Sequence, residues 1–212
     1  MSMRTKTLLA AIIRIVEGEL KHLGMRKTKS AHVCVLGEDV FGWVGLNVAA
    51  NRGDGRVGIN PVVGIRHERI EKMVAKLTAE KEPGMMPTIS TSLGYVSPDG
   101  RYLEWLFEAA PFDYESECKR MVKAIETYGT PFMKSNTTLA AIIDDLEQLR
   151  FTTKDAAVYK LPVAYLLSGK ADAAVASAKR ELKKVEHRSD VVARQYKTFV
   201  ANLLQEATAV GK

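Results

Sequence analysis

The chain has 212 residues, of which 46% are hydrophobic, 26% charged and 7% aromatic, and it carries a formal charge of +6 at pH 7. That balance excludes a disordered or collagen-like chain, and the length suits one large domain or two small ones. Two Cys exclude a disulfide scaffold, and no Cys/His cluster has zinc spacing.

Residues 1–6 are basic and 8–13 apolar, but Arg14 interrupts the apolar run. A secretion signal needs about 7–15 uninterrupted apolar residues and a membrane span about 20. Leu8, Leu9, Ile12, Ile13, Val16, Leu20 and Leu23 instead share one face of an amphipathic helix that Gly24 ends. A cytoplasmic protein with reduced Cys34 and Cys118 is expected.

Alternating segments at 31–36, 40–50 and 57–65, joined by Gly37-Glu38-Asp39 and by a Gly/Asn/Asp loop at 51–56, predict a three-stranded meander. Residues 66–79 switch to helical period, with Ile70, Met73, Val74 and Leu77 on one face, and Glu82-Pro83-Gly84 breaks that helix. Strands follow at 87–96 and 102–109 around the turn Ser97-Pro98-Asp99-Gly100. Asp113 is expected to cap a helix over 114–128 that Gly129-Thr130-Pro131 ends, and further helices are expected at 137–149, 156–167, 171–187 and 190–208. The expected fold is α+β: a five-stranded antiparallel sheet with packed helices in residues 1–112, followed by an all-helical C-terminal part, 113–212, packed against it.

Strand parity sorts the two sheet faces. Val44, Leu46 and Val48, Val57, Ile59, Val63 and Ile65, Ile89, Leu93 and Tyr95, and Leu103, Trp105 and Phe107 form the expected core face, covered by the helices at 7–23 and 66–79. The opposite face carries Phe41, Trp43 and Asn47, with Asn60, Ser90, Ser92, Glu104 and Glu108 and interspersed glycines. Small polar residues edged by aromatics and acids are the form of a groove for a partner or ligand. Coverage by helices, or a plain solvated face, is the alternative.

Sequence motifs for catalysis are weak. His67 and Glu71 stand at i, i+4 but lack a third metal ligand, so an exposed polar first turn is expected there. Asp144, Asp145 and Glu147 near Arg150 read as a solvated helix face. Cys118 beside Glu115 and Glu117 is expected to have a raised pKa. No phosphate loop occurs, and no metal or cofactor is implied. The charge is uneven: residues 1–30 hold seven Lys/Arg against two acids, 31–150 hold thirteen against seventeen, and 151–212 hold eleven against six. Lys179, Arg180, Lys183, Lys184 and Arg188 are therefore the residues for a nucleic-acid contact, if one exists.

Tyr165, Gly169 and Ala174 have the spacing of a tetratricopeptide-like helical hairpin, with no second copy. Over residues 4–150, the order of helix, meander, helix, strand pair and helix, with the motifs Leu23-Gly24-Met25-Arg26-Lys27 and Tyr128-Gly129-Thr130-Pro131-Phe132, resembles uncharacterised bacterial domain-of-unknown-function families. Some members of such families look like toxin-immunity or phage-associated proteins. The resemblance implies a non-enzymatic protein that binds another protein, in an immunity or regulatory role, and supplies no catalytic residue. Two alternatives stand beside it: a nucleic-acid-associated protein using the basic C-terminal helices, and an enzyme with its site on the Gly/Ser-rich sheet face.

Overall fold

The first helix, α1 (Met3–His22), buries the stripe Leu8, Ile12, Val16 and Leu20 that helical period selects. Gly24 ends it at φ +75°. The Gly24 N–H donates to the Lys21 carbonyl at 3.0 Å and the Met25 N–H to the Leu20 carbonyl at 3.1 Å, the double bond of a Schellman turn. This computed structural model describes residues 3–50, 55–80, 84–108 and 113–210. Residues 51–54 of the expected loop at 51–56, the breaker residues Glu82 and Pro83, and Ala109 at the end of the fifth expected strand lie outside the described residues.

The sheet comprises β1 (Arg26–Lys27), β2 (His32–Gly37), β3 (Val40–Ala49), β4 (Val57–His67), β5 (Ile89–Ser92) and β6 (Trp105–Phe107). Its order is β1-β2-β3-β4-β5, with β6 also hydrogen-bonded to β4. The meander forms as parity dictates, with Val33 opposite Trp43 and His32 opposite Val44 in an antiparallel pair. The last two strands are shorter than expected, and each joins β4. Leu93–Val96 winds into a 3-10 turn instead of continuing the strand. Gly94 permits it: a Cβ there would lie 2.7 Å from the Leu103 backbone nitrogen. The turn swings Tyr95 into solvent, away from the core face where alternation places it. Val48 at the far end of β3 is exposed too, and Leu103 and Trp105 are only half-buried. The centre of the face is as expected: Val44, Val57, Ile59, Val63, Ile65 and Phe107 are fully buried.

The chain divides into two compact units: residues 1–65 with 90–135, and residues 66–89 with 136–212. This differs from a boundary at residue 112. In the first unit the sheet is accompanied by α1, α3 (Tyr114–Ala124) and α4 (Thr130–Ser135). The Asp113 carboxylate caps α3 by accepting from the Ser116 N–H at 3.1 Å. Gly129-Thr130-Pro131 does not end this helix. Ile125–Gly129 is a π-helical segment in which the Thr130 N–H donates to the Ile125 carbonyl, and α4 continues beyond it. Pro131 has no N–H to offer, and the wider turn accommodates it. Gly129 lets the helix approach the sheet, because a Cβ there would lie 2.8 Å from Val63 Cγ1.

The second unit packs α2 (Glu68–Thr78), α5 (Leu139–Gln148), α6 (Lys154–Leu167), α7 (Ala171–Val185) and α8 (Val191–Val210). Thr138 and Thr153 cap α5 and α6 with their hydroxyls, and the Asp190 carboxylate accepts from the Ala193 N–H at 3.2 Å. Gly169, at φ +78°, turns the α6–α7 hairpin, and Ala174 is fully buried where the two helices meet. α2 belongs here, packed on α6 and α8, rather than with the sheet. The Asn202 amide donates to the Leu77 carbonyl at 2.9 Å, and Lys76 pairs with Glu206.

The start of α2 corrects the expectation of an exposed polar turn, since His67 and Glu71 are both buried. Arg66, 1% exposed, donates from Nε to Glu68 at 2.7 Å and from Nη1 to the Gly84 and Met86 carbonyls at 2.5 and 2.9 Å. The Thr88 hydroxyl accepts from the His67 N–H and donates to Glu71, each at 2.8 Å. Lys160 of α6 completes the group, with its Nζ 3.1 Å from Glu71 and donating to the Pro87 and Thr88 carbonyls at 2.8 and 3.1 Å. Burial pushes the Glu68 carboxyl up, but the Arg66 guanidinium and Lys72 outweigh it and hold it below the usual carboxylate range. Charges enter this interior because each one meets a partner. Arg66→Met should therefore lower stability by about 1–3 kcal/mol in urea unfolding, since it leaves the Gly84 and Met86 carbonyls without their donor and Glu68 with Lys72 alone. An unchanged midpoint would show that the guanidinium is dispensable.

Candidate functional site

The sheet face singled out by parity is filled largely by its own side chains. Trp43 is 7% exposed and packs with Ala31, Val33 and Val62. Its ring lies over Gly45, where a Cβ would stand 2.7 Å from Trp43 Cζ3. The aromatic thus occupies the space that the missing side chain leaves. Asn60 is buried and donates from Nδ2 to Ser92 Oγ at 2.7 Å and to the Leu103 carbonyl at 2.5 Å, tying β4 to β5 and to the approach to β6. Phe41, Ser90, Ser92 and Glu104 are half-buried, while Asn47 and Glu108 are exposed. Glu108 stands 3.6 Å from Arg56. The structure joins Asn60 to Ser92, and it covers Trp43 rather than presenting it.

The second unit carries a groove between α6, α7 and α8, with a volume of about 510 Å³. Tyr159 and Tyr196 line its floor, and Phe199, fully buried, backs them. Tyr159 lies edge-on to Tyr196 and Phe199 at ring-centre distances of 5.3 and 5.0 Å, and Tyr196 stacks with Phe199 at 5.7 Å. These separations are those of favourable aromatic pairs. The Tyr196 hydroxyl donates to the Ala178 carbonyl at 3.3 Å, and burial pushes its pKa up. Burial likewise raises Tyr159, with Glu80 and Asp155 adding to the effect. Both hydroxyls are therefore neutral at pH 7. Val158, Val185 and Val192 supply apolar wall, and Val192 is 60% exposed. A smaller cavity of about 110 Å³ between α5, α6 and α7 shares Lys154, Val158 and Glu181 with the groove, extending the depression toward Leu149.

The rim carries Lys154, Lys184 and Arg188 with Asp155 and Glu181. The Glu181 carboxylate is answered by Lys184 at 2.6 Å and Arg180 at 3.7 Å. Arg188 holds Asp190 through two bonds of 2.9 and 3.2 Å. Lys197 donates to the Glu186 and Arg188 carbonyls at the turn between α7 and α8. Of the five cations singled out in the sequence, Lys184 and Arg188 line the groove and Arg180 the smaller cavity. Lys179 and Lys183 are exposed on the same helix. Sequence reasoning placed these cations but missed Tyr159, Tyr196, Phe199 and Val192. Tyr196 and Phe199 stand at helical i, i+3, the one local signal that they share a face.

The remaining chemistry-bearing residues do not assemble. Among the described residues, no group of three or more His, Cys, Asp and Glu side chains could hold a metal ion. Burial, with Glu115 and Glu117 adding, pushes the Cys118 thiol up to about 12, and burial also raises Cys34. Asp145 corrects the expectation of a solvated face, since it is fully buried. Burial pushes its carboxyl up to about 6, because Arg150 Nε, 3.6 Å away, compensates only in part. No described helix is long and apolar enough to cross a membrane. The chain matches no protein-family model, no curated protein and no solved structure.

Trp43→Ala should lower stability by about 3–5 kcal/mol, as a large-to-small core change does, read by thermal or urea unfolding. A near-normal midpoint would place the ring outside the core. Asp145 gives a pH signature. A carboxyl whose pKa rises on folding contributes stability below its unfolded pKa and loses it as pH rises through the folded value. Asp145→Asn should thus gain about 1–3 kcal/mol over the parent at pH 7.5, and the gain should vanish near pH 4. A loss at pH 7.5 would mean that the Arg150 pairing outweighs the burial.

Proposed function

We propose that this is a partner-binding protein that holds a segment of another protein in the groove between α6, α7 and α8. The observation that carries the reading is a preformed groove of about 510 Å³ with an aromatic floor and an exposed valine at its edge. Interfaces concentrate their affinity on a few apolar anchors seated in such depressions, with a polar rim around them. A floor already packed on itself needs no ordering when the partner arrives, which favours binding. The sheet face offers less, because Trp43 and Asn60 are engaged with their own neighbours. The partner is a protein, in the immunity or regulatory manner that the family resemblance implies.

Photo-crosslinking tests the reading in cells. A photoreactive residue at position 192 should give a discrete adduct, and one at exposed Asn47 on the sheet face should not. The same adduct from both positions, or from position 47 alone, would return the binding surface to the sheet.

A further inference from the structure

We infer that the segment held in this groove is acidic, with one apolar side chain seated on the Tyr159–Tyr196 floor. The inference rests on the reading of the groove as a protein-binding surface and adds the chemistry of the occupant. Its basis is charge. Residues 179–188, which include one wall, hold five Lys/Arg against two Glu. Asp190, which pairs with Arg188, still leaves 179–190 a surplus of two positive charges, and the groove itself is lined by Lys154, Lys184 and Arg188 against Asp155 and Glu181. Lys154 adds a cation at the start of α6, on the opposite side of the groove. Carboxylates along an incoming chain would meet the rim cations, while apolar contact fixes its position; complementary charge sets specificity and association rate.

The same geometry disfavours a nucleic acid as the occupant. Single-strand readers present open aromatic faces for bases to stack on. Tyr196 is buried and stacked on Phe199, and Tyr159 is half-buried, so the floor can seat one small apolar group but offers no platform for successive bases.

The test uses the full chain, isotope-labelled, and four probes: a short peptide of Asp and Glu with one central Leu, versions with Ser or Lys replacing the acids, and a random-sequence DNA oligonucleotide. The acidic peptide should shift the backbone amide signals of 154–159 and 181–196, and the Ser and Lys versions should not. Lys154→Ala with Lys184→Ala should weaken that binding about tenfold, with an unchanged melting temperature, and added salt should weaken it in the parent. Equal shifts from the Ser peptide would overturn the acidic occupant and leave the groove reading standing. Silence from every peptide would also overturn it, and the crosslink at position 192 would then judge the groove separately. Shifts of the same amides by DNA alone would replace the occupant with a nucleic acid.

Discussion

Lys160 anchors the helix on which the groove is built. Its ammonium enters a buried group in which Glu71, Thr88 and two backbone carbonyls surround it, and its neighbour on α6, Tyr159, forms the floor of the groove. A lysine in an apolar interior is costly unless it is paired and hydrogen-bonded. Here one carboxylate and two carbonyls satisfy its three N–H bonds. The requirement that all three be met fixes α6 against α2 and the 84–88 segment. Apolar contacts alone would tolerate a shift of the helix; a set of buried charge-assisted bonds does not.

From that fixed helix the rest of the second unit follows. α7 returns antiparallel through the Gly169 turn, and buried Ala174, Ser177 and Ala178 let it lie close. α8 then brings Tyr196 and Phe199 onto Tyr159. The groove is what remains between three helices whose floor is aromatic and whose rim is charged. The first unit satisfies itself in a different way. Trp43 covers Gly45, and Gly42 and Gly129 admit Cys34 Sγ and Val63 Cγ1, each of which would lie 2.8 Å from a Cβ at the glycine. Its small residues serve close packing, which is the second meaning a glycine in a strand or helix can carry.

Much of the fold was legible because local rules sufficed. Gly24 ended a helix, Asp113 capped another, and alternation gave the meander and the centre of its core face. The misses share one cause, which is that periodicity assigns polar residues to the outside. His67 and Glu71 sit inside because their partners, Thr88 and Lys160, come from elsewhere in the chain, and Asp145 is buried although Arg150, five residues on, is its partner. Parity likewise placed Trp43 on its face but could not say that its own ring would fill that face. The turn at 97–100 suggested a simple hairpin, yet Leu93–Val96 coils and both flanking strands turn to β4. The groove was the least legible feature, since its walls come from three helices and its floor from residues that read only as core.

Hydrogen–deuterium exchange on Lys160→Met against the parent tests most directly whether the buried charges hold the groove in shape. The expected result is faster exchange in 84–89 and along α6, with the amides of β2 and β3 unchanged. Unaltered protection of α6 would contradict it, because the groove would then owe its geometry to apolar packing alone.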